Sequence, residues 1–401
     1  MTRPQAPLAG VRIADFTIHA AGPFCTHLLS QLGAECIKIE SRTRPDAFRK
    51  PHAVYGRMQA ATFDQVSANK LSVRLNLKHP EAVAIAKRIV ALSDIAAESF
   101  RPGVMKRLGL DFEALREARP DIVLLSLSSC GQSGPDSHFA GYAPLFGAWG
   151  GLGWMSGYSD GPPMEMRHVM DHSAGVHAAA ATLAALHQRR RTGRAQHVDL
   201  AAREVASAMI GDALVQASRG STPLRPGNGD PAMAPHGVYP TGQPDRWLTL
   251  AVRDDPEWAA LLGVLAPEVP PRDPRFATAP ARRARRAEID VLLTRWLADR
   301  DADQTAAQLQ QAGVCAHVSW TMQDVADDPH LRERGALVEV SAPDIQPRLA
   351  VGAPGRFSAS DGVGIRRLTP TLGQDEDYVF GELLGIDSAR RADLVEREVI
   401  L

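Results

Sequence analysis

Asp171 and the two histidines beside it, His168 and His172, form the densest group of chemistry-bearing side chains in this chain, within Arg167-His-Val-Met-Asp-His-Ser-Ala-Gly175. The segment lies where an irregular stretch, marked upstream by the turn Gly161-Pro-Pro163, gives way to an alanine-rich helical run over Ala174–Arg190. One reading of Asp171 is a helix N-cap, whose carboxylate accepts the first unpaired backbone N–H groups. The other is a nucleophile. A carboxylate at a helix N-terminus is ionised at neutral pH and held by the same N–H groups, which suits covalent chemistry.

Other patterns are weighed against it. His168, His172 and His177 cluster nearby, but a metal site needs a fuller ligand set on one helical face, so no metal is expected. Gly157-Tyr-Ser-Asp-Gly161 has the G-x-S-x-G spacing of a nucleophile elbow, yet Pro162-Pro163 follow it where a helix should open, so it reads as a turn. The turn after the first strand, Asp15-Phe-Thr-Ile-His-Ala-Ala-Gly-Pro23, has one glycine rather than the three of a dinucleotide fingerprint. Glu40, at the place of a ribose-binding acid, carries little weight without them. Lys70, Lys78, Arg101, Lys106 and Arg107 recur in loops of the first part of the chain, placed either to hold a polyanion such as a nucleotide diphosphate or as plain surface charge.

The elements that must position these groups alternate. Strands are expected at Val11–Phe16, Glu35–Ile39, Asp94–Glu98 and Ile122–Ser128, with helices at Phe24–Leu32, Pro80–Leu92 and Phe112–Ala118. Helices at Ala174–Arg190 and Val198–Gln216 follow. The pattern is that of an α/β protein with a Rossmann-like, doubly wound large domain. A Gly-, Pro- and Arg-rich stretch, Arg219–Asp230, leads into a smaller α/β domain. That domain has a strand at Trp247–Val252 and helices at Pro256–Leu265, Arg282–Ala298 and Asp303–Ala312. Leu337–Val340 and the stretch to Pro370 read as strand and turn, and Tyr378–Leu384 as the closing helix. The large domain is assigned to residues 1–218 with 330–401, the small one to 219–329. The basic run Arg282–Arg286 reads as a solvated helical face.

With 401 residues, 44% hydrophobic and 23% charged, the chain is an ordinary globular protein with room for two cores. A net charge of −1 gives no electrostatic case for nucleic acid or membrane binding. Cys25, Cys36, Cys130 and Cys315 form no C-x-x-C pair and suggest reduced thiols in a cytoplasmic protein. The first ten residues lack a signal-peptide core, and no apolar stretch is long enough to span a bilayer.

A set of ordered segments resembles the class III CoA-transferases, a family that includes formyl-CoA and carnitine CoA-transferases and related acyl-CoA racemases. The segments are Pro7-Leu-Ala-Gly-Val-Arg-Ile-Ala-Asp15, Ala21-Gly-Pro23, Leu32-Gly-Ala-Glu-Cys-Ile-Lys-Ile-Glu40, Asn69-Lys70, Ser99-Phe-Arg-Pro-Gly103 with Arg107-Leu-Gly109, Gly131-Gln-Ser-Gly-Pro135, Gly141-Tyr142, Asp160-Gly-Pro-Pro163 and Arg191-Thr-Gly-Arg-Ala-Gln196. They span about residues 7–205. The resemblance implies that Asp171 is the catalytic aspartate. It places CoA contacts at Ala20, Ala21, Leu75, Asn76, Leu77, Lys78, Ser99, Phe100, Arg101 and Arg107, with Tyr142 near the thioester. It also implies an interlocked-ring dimer, a homodimer or a heteromer, and no tightly bound cofactor, with coenzyme A and acyl-CoA acting as substrates.

The chemistry follows from a carboxylate nucleophile. Asp171 would attack the donor thioester, then carry CoA as an aspartyl thioester to a small carboxylic acid, preserving the thioester energy without ATP or metal. The loop Gly227-Asn-Gly229 is expected to supply N–H donors to the oxyanions or to close over the site. Met166, Arg167, His168 and His172 are expected at the acyl pocket, where cations would favour a dicarboxylic acid and a succinyl-CoA donor. The chain departs from the family at Ser99, which replaces an asparagine, at His19 in the first turn, and at Pro244-Asp-Arg246. The alternative activity is an acyl-CoA racemase or epimerase, whose α-proton chemistry needs a histidine where this chain has Tyr142.

Overall fold

Short buried runs of small and branched residues form the main sheet, in a computed structural model that describes residues 5–49, 61–166, 169–221, 223–265, 273–342 and 345–401. The chain divides into two compact units, the first made of residues to 152, 165–212 and 329–401, the second of 153–164 and 213–328.

In the first unit, β1 (Arg12–Asp15), α1 (Ala21–Gln31), β2 (Glu35–Glu40), α2 (Ala61–Ser67), β3 (Lys70–Arg74) and α3 (Pro80–Ala91) come first. They are followed by β4 (Ile95–Glu98), α4 (Val104–Arg107), α5 (Phe112–Ala118), β5 (Val123–Ser128) and α6 (Ala143–Gly150). The short helix α7 (Leu152–Met155) falls mostly in the second unit, and the long α8 (Val169–Thr192), β6 (Gln196–Ala201) and α9 (Ala202–Ala208) complete this stretch of the first. The six strands are parallel in the order β3-β2-β1-β4-β5-β6. Strand order reverses between β1 and β4, the switch point where such sheets bind ligands beyond the strand C-termini.

Side-chain alternation along the strands builds two cores. Ile13, Ile95, Val123 and Leu125 pack toward α1 and α8, whereas Ala14, Ala96 and Leu124 pack toward α3, α5 and the C-terminal residues Val379–Ile400. Ala174, Ala178, Ala179, Thr182, Ala185 and Leu186 make the buried stripe of α8. Gly175 lets the two helices touch, because a Cβ there would lie 2.9 Å from the Ala21 carbonyl oxygen and 2.9 Å from the Phe24 ring. The β3 edge is covered by the chain's last segment, with Asn69 N–H bonded to Arg367 O at 3.1 Å and Asp375 N–H to Ser72 O at 3.0 Å.

Several expectations are corrected here. The stretch Val198–Gln216 is not one helix. Residues 196–201 add strand β6 beside β5, because alternate residues of Gln196–Ala201 meet the sheet, and two helices, α9 and α10 (Gly211–Ser218), follow. Strand β3 was hidden by its polar letters, Lys-Leu-Ser-Val-Arg, although Lys70 and Ser72 are fully buried. The chain closes not with one helix over Tyr378–Leu384 but with a π-helical segment, Asp377–Leu383, and a further helix at Ser388–Glu396.

The second unit holds a three-stranded antiparallel sheet of β7 (His236–Pro240), β8 (Trp247–Ala251) and β9 (Cys315–Val318). Helices α11 (Asp255–Leu265), α12 (Ala279–Ala284), α13 (Arg286–Leu297) and α14 (Ala302–Gln311) close its core around Leu250, Trp258, Leu261 and Leu297. The expected helix Arg282–Ala298 is broken at Arg285. Arg282 is not solvated at all. It is 0% exposed, pairs with Asp255 at 2.8 Å, donates to Ala234 O and Phe276 O, and lies over the Trp258 ring. A buried guanidinium needs such acceptors and a counter-charge. No helix among the described residues is long and apolar enough to cross a membrane.

Candidate active site

Helix α8 starts at Val169, so Asp171 is its third residue and not its N-cap. The carboxylate belongs to the first turn, where the helix dipole favours negative charge. Asp171 and His172 are both half-buried. The His172 ring meets Phe24 of α1 edge-on at 4.5 Å, and with the Gly175 contact this docks the first turns of α8 onto the start of α1. His177 points away and bonds Ser173 O at 2.8 Å within its own helix. Arg167 and His168 lie outside the described residues.

The loop between β1 and α1 is fixed from beneath. Asp15, at the end of β1, is fully buried; its carboxylate accepts the Thr17 N–H at 2.9 Å, Thr26 Oγ1 at 2.9 Å and Lys70 Nζ at 2.9 Å. Burial pushes its pKa up, but Lys70 and Lys38 outweigh that and hold it down at about 2. Lys70 also donates to Pro23 O at 3.0 Å, and buried Lys38 donates to Thr17 O at 2.8 Å and pairs with Asp46 at 3.1 Å. Lys70 is therefore a buried strand residue rather than a loop cation. Residue-type patterns do not reveal this lattice, because a lysine inside a strand looks solvent-facing until its partner is known.

Ser99 joins this loop to the one leaving β4. Its hydroxyl accepts Ile18 N–H at 2.9 Å and donates to Ile18 O at 3.0 Å. Ala20 precedes α1, and Ala21 is buried in its first turn. Arg101, Lys106 and Arg107 are exposed beyond β4, and Lys78 is exposed beyond β3. Leu75 is only 1% exposed and belongs to the core, with its N–H bonded to Glu40 O at 2.7 Å. Leu77 is partly buried. Asn76 bonds to the far end of the chain, N–H to Val399 O at 2.9 Å and Nδ2 to Glu398 O at 3.1 Å. Tyr142 is 65% exposed before α6, with the His19 ring edge-on at 5.9 Å. His19 is one of the few non-glycine residues with positive φ, at 66°. The structure thus brings Ala20, Ser99 and Phe100 together around the switch point and sets Tyr142 against His19.

Gly227, Asn228 and Gly229 lie in the second unit. Gly227 N–H donates to Gly157 O at 2.9 Å and Gly229 N–H to Pro226 O at 3.0 Å. Asn228 Nδ2 donates to the Tyr158 hydroxyl at 2.7 Å. The Gly157–Gly161 segment is a turn, and the glycine loop is built on its tyrosine.

One buried carboxylate escaped the sequence reading. Glu98 ends β4 and is 2% exposed, with Ser126, His197 and Asp199 as neighbours on the next two strands. Burial pushes its pKa up to about 7.

Residues 8–376 match CoA-transferase family III. The chain is 33% identical over 402 residues to succinyl-CoA–D-citramalate CoA-transferase of Chloroflexus aurantiacus, covering 99% of both chains. It is 29% identical over 408 residues to the succinyl-CoA–L-malate CoA-transferase beta subunit of the same organism, covering 100% of this chain and 99% of that one. A crystal structure of a CaiB/BaiF family protein from Brucella suis superposes with a TM-score of 0.85 at 29% identity, covering 94% of this chain and 100% of that one. The chain belongs to CoA-transferase family III and is an enzyme of that class.

Proposed function

We propose that this enzyme moves CoA from succinyl-CoA to a small dicarboxylic acid, with Asp171 as the covalent carrier. The observation that carries the reading is the half-buried Asp171 in the first turn of α8, the helix docked on α1 at the sheet's switch point. An Asp171 oxygen attacks the thioester carbonyl, the C–S bond breaks, and CoA leaves as thiolate, giving an aspartyl–succinyl anhydride. The thiolate attacks the aspartyl carbonyl and releases succinate, leaving an aspartyl–CoA thioester. The acceptor carboxylate attacks that thioester, and the freed thiolate takes the acceptor's acyl group, restoring Asp171.

Ala20, Ala21, the Leu75–Lys78 backbone, Ser99–Arg101 and Arg107 hold CoA in this reading, with Tyr142 beside the thioester. On sequence grounds His168 and His172 are assigned to the acyl group in this reading. Two relatives whose names join succinyl-CoA to hydroxy-dicarboxylic acids support the substrate class. We take the working form to be an interlocked dimer in the cytoplasm. A heteromer is the other form, because one relative is a beta subunit.

The test is intact-mass measurement after incubation with succinyl-CoA. The expected product is a wild-type adduct of CoA less one water, absent in Asp171→Ala. Solvent deuterium entering the acyl α-carbon with no adduct overturns the transfer mechanism in favour of a racemase.

A further inference from the structure

Strand β4 ends in a carboxylate that the transfer steps do not use. Glu98 Oε2 accepts the Phe100 N–H at 2.7 Å, its Oε1 accepts the Gln132 side-chain amide at 3.4 Å, and the Ser126 hydroxyl bonds to it as well. Its titratable neighbours are Asp199 and, through Ser126, His197 of β6, whose Nε2 lies 2.9 Å from the Ser126 hydroxyl and whose ring stacks on Phe112. No cation stabilises the carboxylate among the described residues. A buried acid without a counter-charge destabilises the fold, so an apolar or amide side chain would serve packing better.

The donors share a destination. Phe100 opens the turn that presents Arg101 and leads to Arg107. Gln132 opens the loop that runs to Tyr142, and its own N–H is held by both Asp199 oxygens at 2.9 and 3.0 Å. Gly131 makes that turn possible with φ +83° beside Asp199. One carboxylate therefore touches the start of both loops.

We propose that Glu98 is a positioning residue for acyl-CoA, tying the Phe100–Arg107 loop to the Gln132–Tyr142 loop so that the two are set together. The inference rests on the reading of those loops as the CoA site. Burial, with a smaller push from Asp199, outweighs the Ser126 and Phe100 donors that favour the ionised form and brings its titration to about 7.

The test compares wild type, Glu98→Gln and Gln132→Ala, with CoA affinity measured by titration calorimetry and steady-state KM and kcat measured with succinyl-CoA. Near pH 8, Glu98→Gln is expected to raise the succinyl-CoA KM and the CoA Kd about tenfold, the loss of one charge-assisted hydrogen bond, while kcat changes less than about threefold. Wild-type KM is expected to fall as pH rises through about 7, and the Glu98→Gln profile to lack that limb, matching wild type at about pH 6. The CoA phosphate titrates against both proteins and cancels in their ratio. Gln132→Ala, which keeps the acid, should raise KM in the same direction. If Glu98→Gln does not fold, Gln132→Ala decides alone, and an unchanged KM there overturns the proposal. Parallel KM–pH profiles for wild type and Glu98→Gln also overturn it. A wild-type protein that neither binds CoA nor transfers it overturns the functional reading instead.

Discussion

Ser99 and Ile18 bond to each other twice across the switch point, the hydroxyl accepting the Ile18 N–H and donating to the Ile18 carbonyl. A single oxygen thereby fastens the loops leaving β1 and β4. The approach is close enough that a Cβ on Gly22 would come within 2.8 Å of Ser99 Cβ.

Ser99→Ala removes both bonds and leaves the Ile18 peptide without its partner. A loss of about 1–3 kcal/mol in loop positioning is expected. It should raise the acyl-CoA KM about tenfold while kcat falls less. Steady-state kinetics with varied succinyl-CoA check this, and an unchanged KM contradicts it.

Lys70→Met leaves Asp15 buried with its nearest cation gone. Breaking one side of a buried pair costs about 3–5 kcal/mol. In wild type the folded carboxyl titrates at about 2, below its ordinary 3.8. Its contribution is therefore complete above about 3.8 and disappears as pH falls through about 2. The variant should unfold at lower urea at neutral pH and begin acid unfolding at higher pH. The double variant Asp15→Asn, Lys70→Met should recover part of the loss.

Glu98 has the opposite sign. Its folded carboxyl titrates at about 7, above the ordinary 4.5, so between those values the native state binds more protons than the unfolded chain. Stability is complete below about 4.5 and declines as pH rises through 7, by an amount on the order of 3 kcal/mol. Urea unfolding of wild type and Glu98→Gln should therefore agree near pH 5, with the variant the more stable near pH 8.

Gly175→Ala places a methyl against the Ala21 carbonyl and the Phe24 ring. Overpacking of about 1–3 kcal/mol is expected, and α8 must shift relative to α1. Asp171 lies one turn upstream, so kcat should fall tenfold or more even in protein that remains folded. Gly211→Ala, where an added Cβ meets nothing within 4 Å, is the control and should leave melting temperature and kcat unchanged.

The parallel sheet was legible because Val11–Phe16, Glu35–Ile39 and Ile122–Ser128 are apolar enough to read as buried strands. Lys70–Arg74 and Gln196–Ala201 were not, since their burial depends on partners hundreds of residues away or on a sheet edge that must exist first. Asp171 stood out by its neighbours, yet its place in the helix did not, because the segment before Ala174 gives no clear start signal. Arg282 was misread for the same reason as Lys70. Charge marks the surface only when no acceptors converge on it, and Ala234 O, Phe276 O and Asp255 come together only in the fold.

The bonds from Asn76 to Glu398 and Val399 span 322 residues of sequence in the first case. They have a consequence for synthesis. A nascent chain that has cleared the ribosome through α8 holds all of the helix that carries Asp171, but the loop after β3 still lacks the segment that anchors it. Most of the second unit, residues 213–328, is made in between, and its core can collapse while the first unit waits. Anchoring of the Asn76 loop is thus timed to the last stage of translation, and a ribosome stalled in the small unit carries a chain with α8 complete and that loop unsecured.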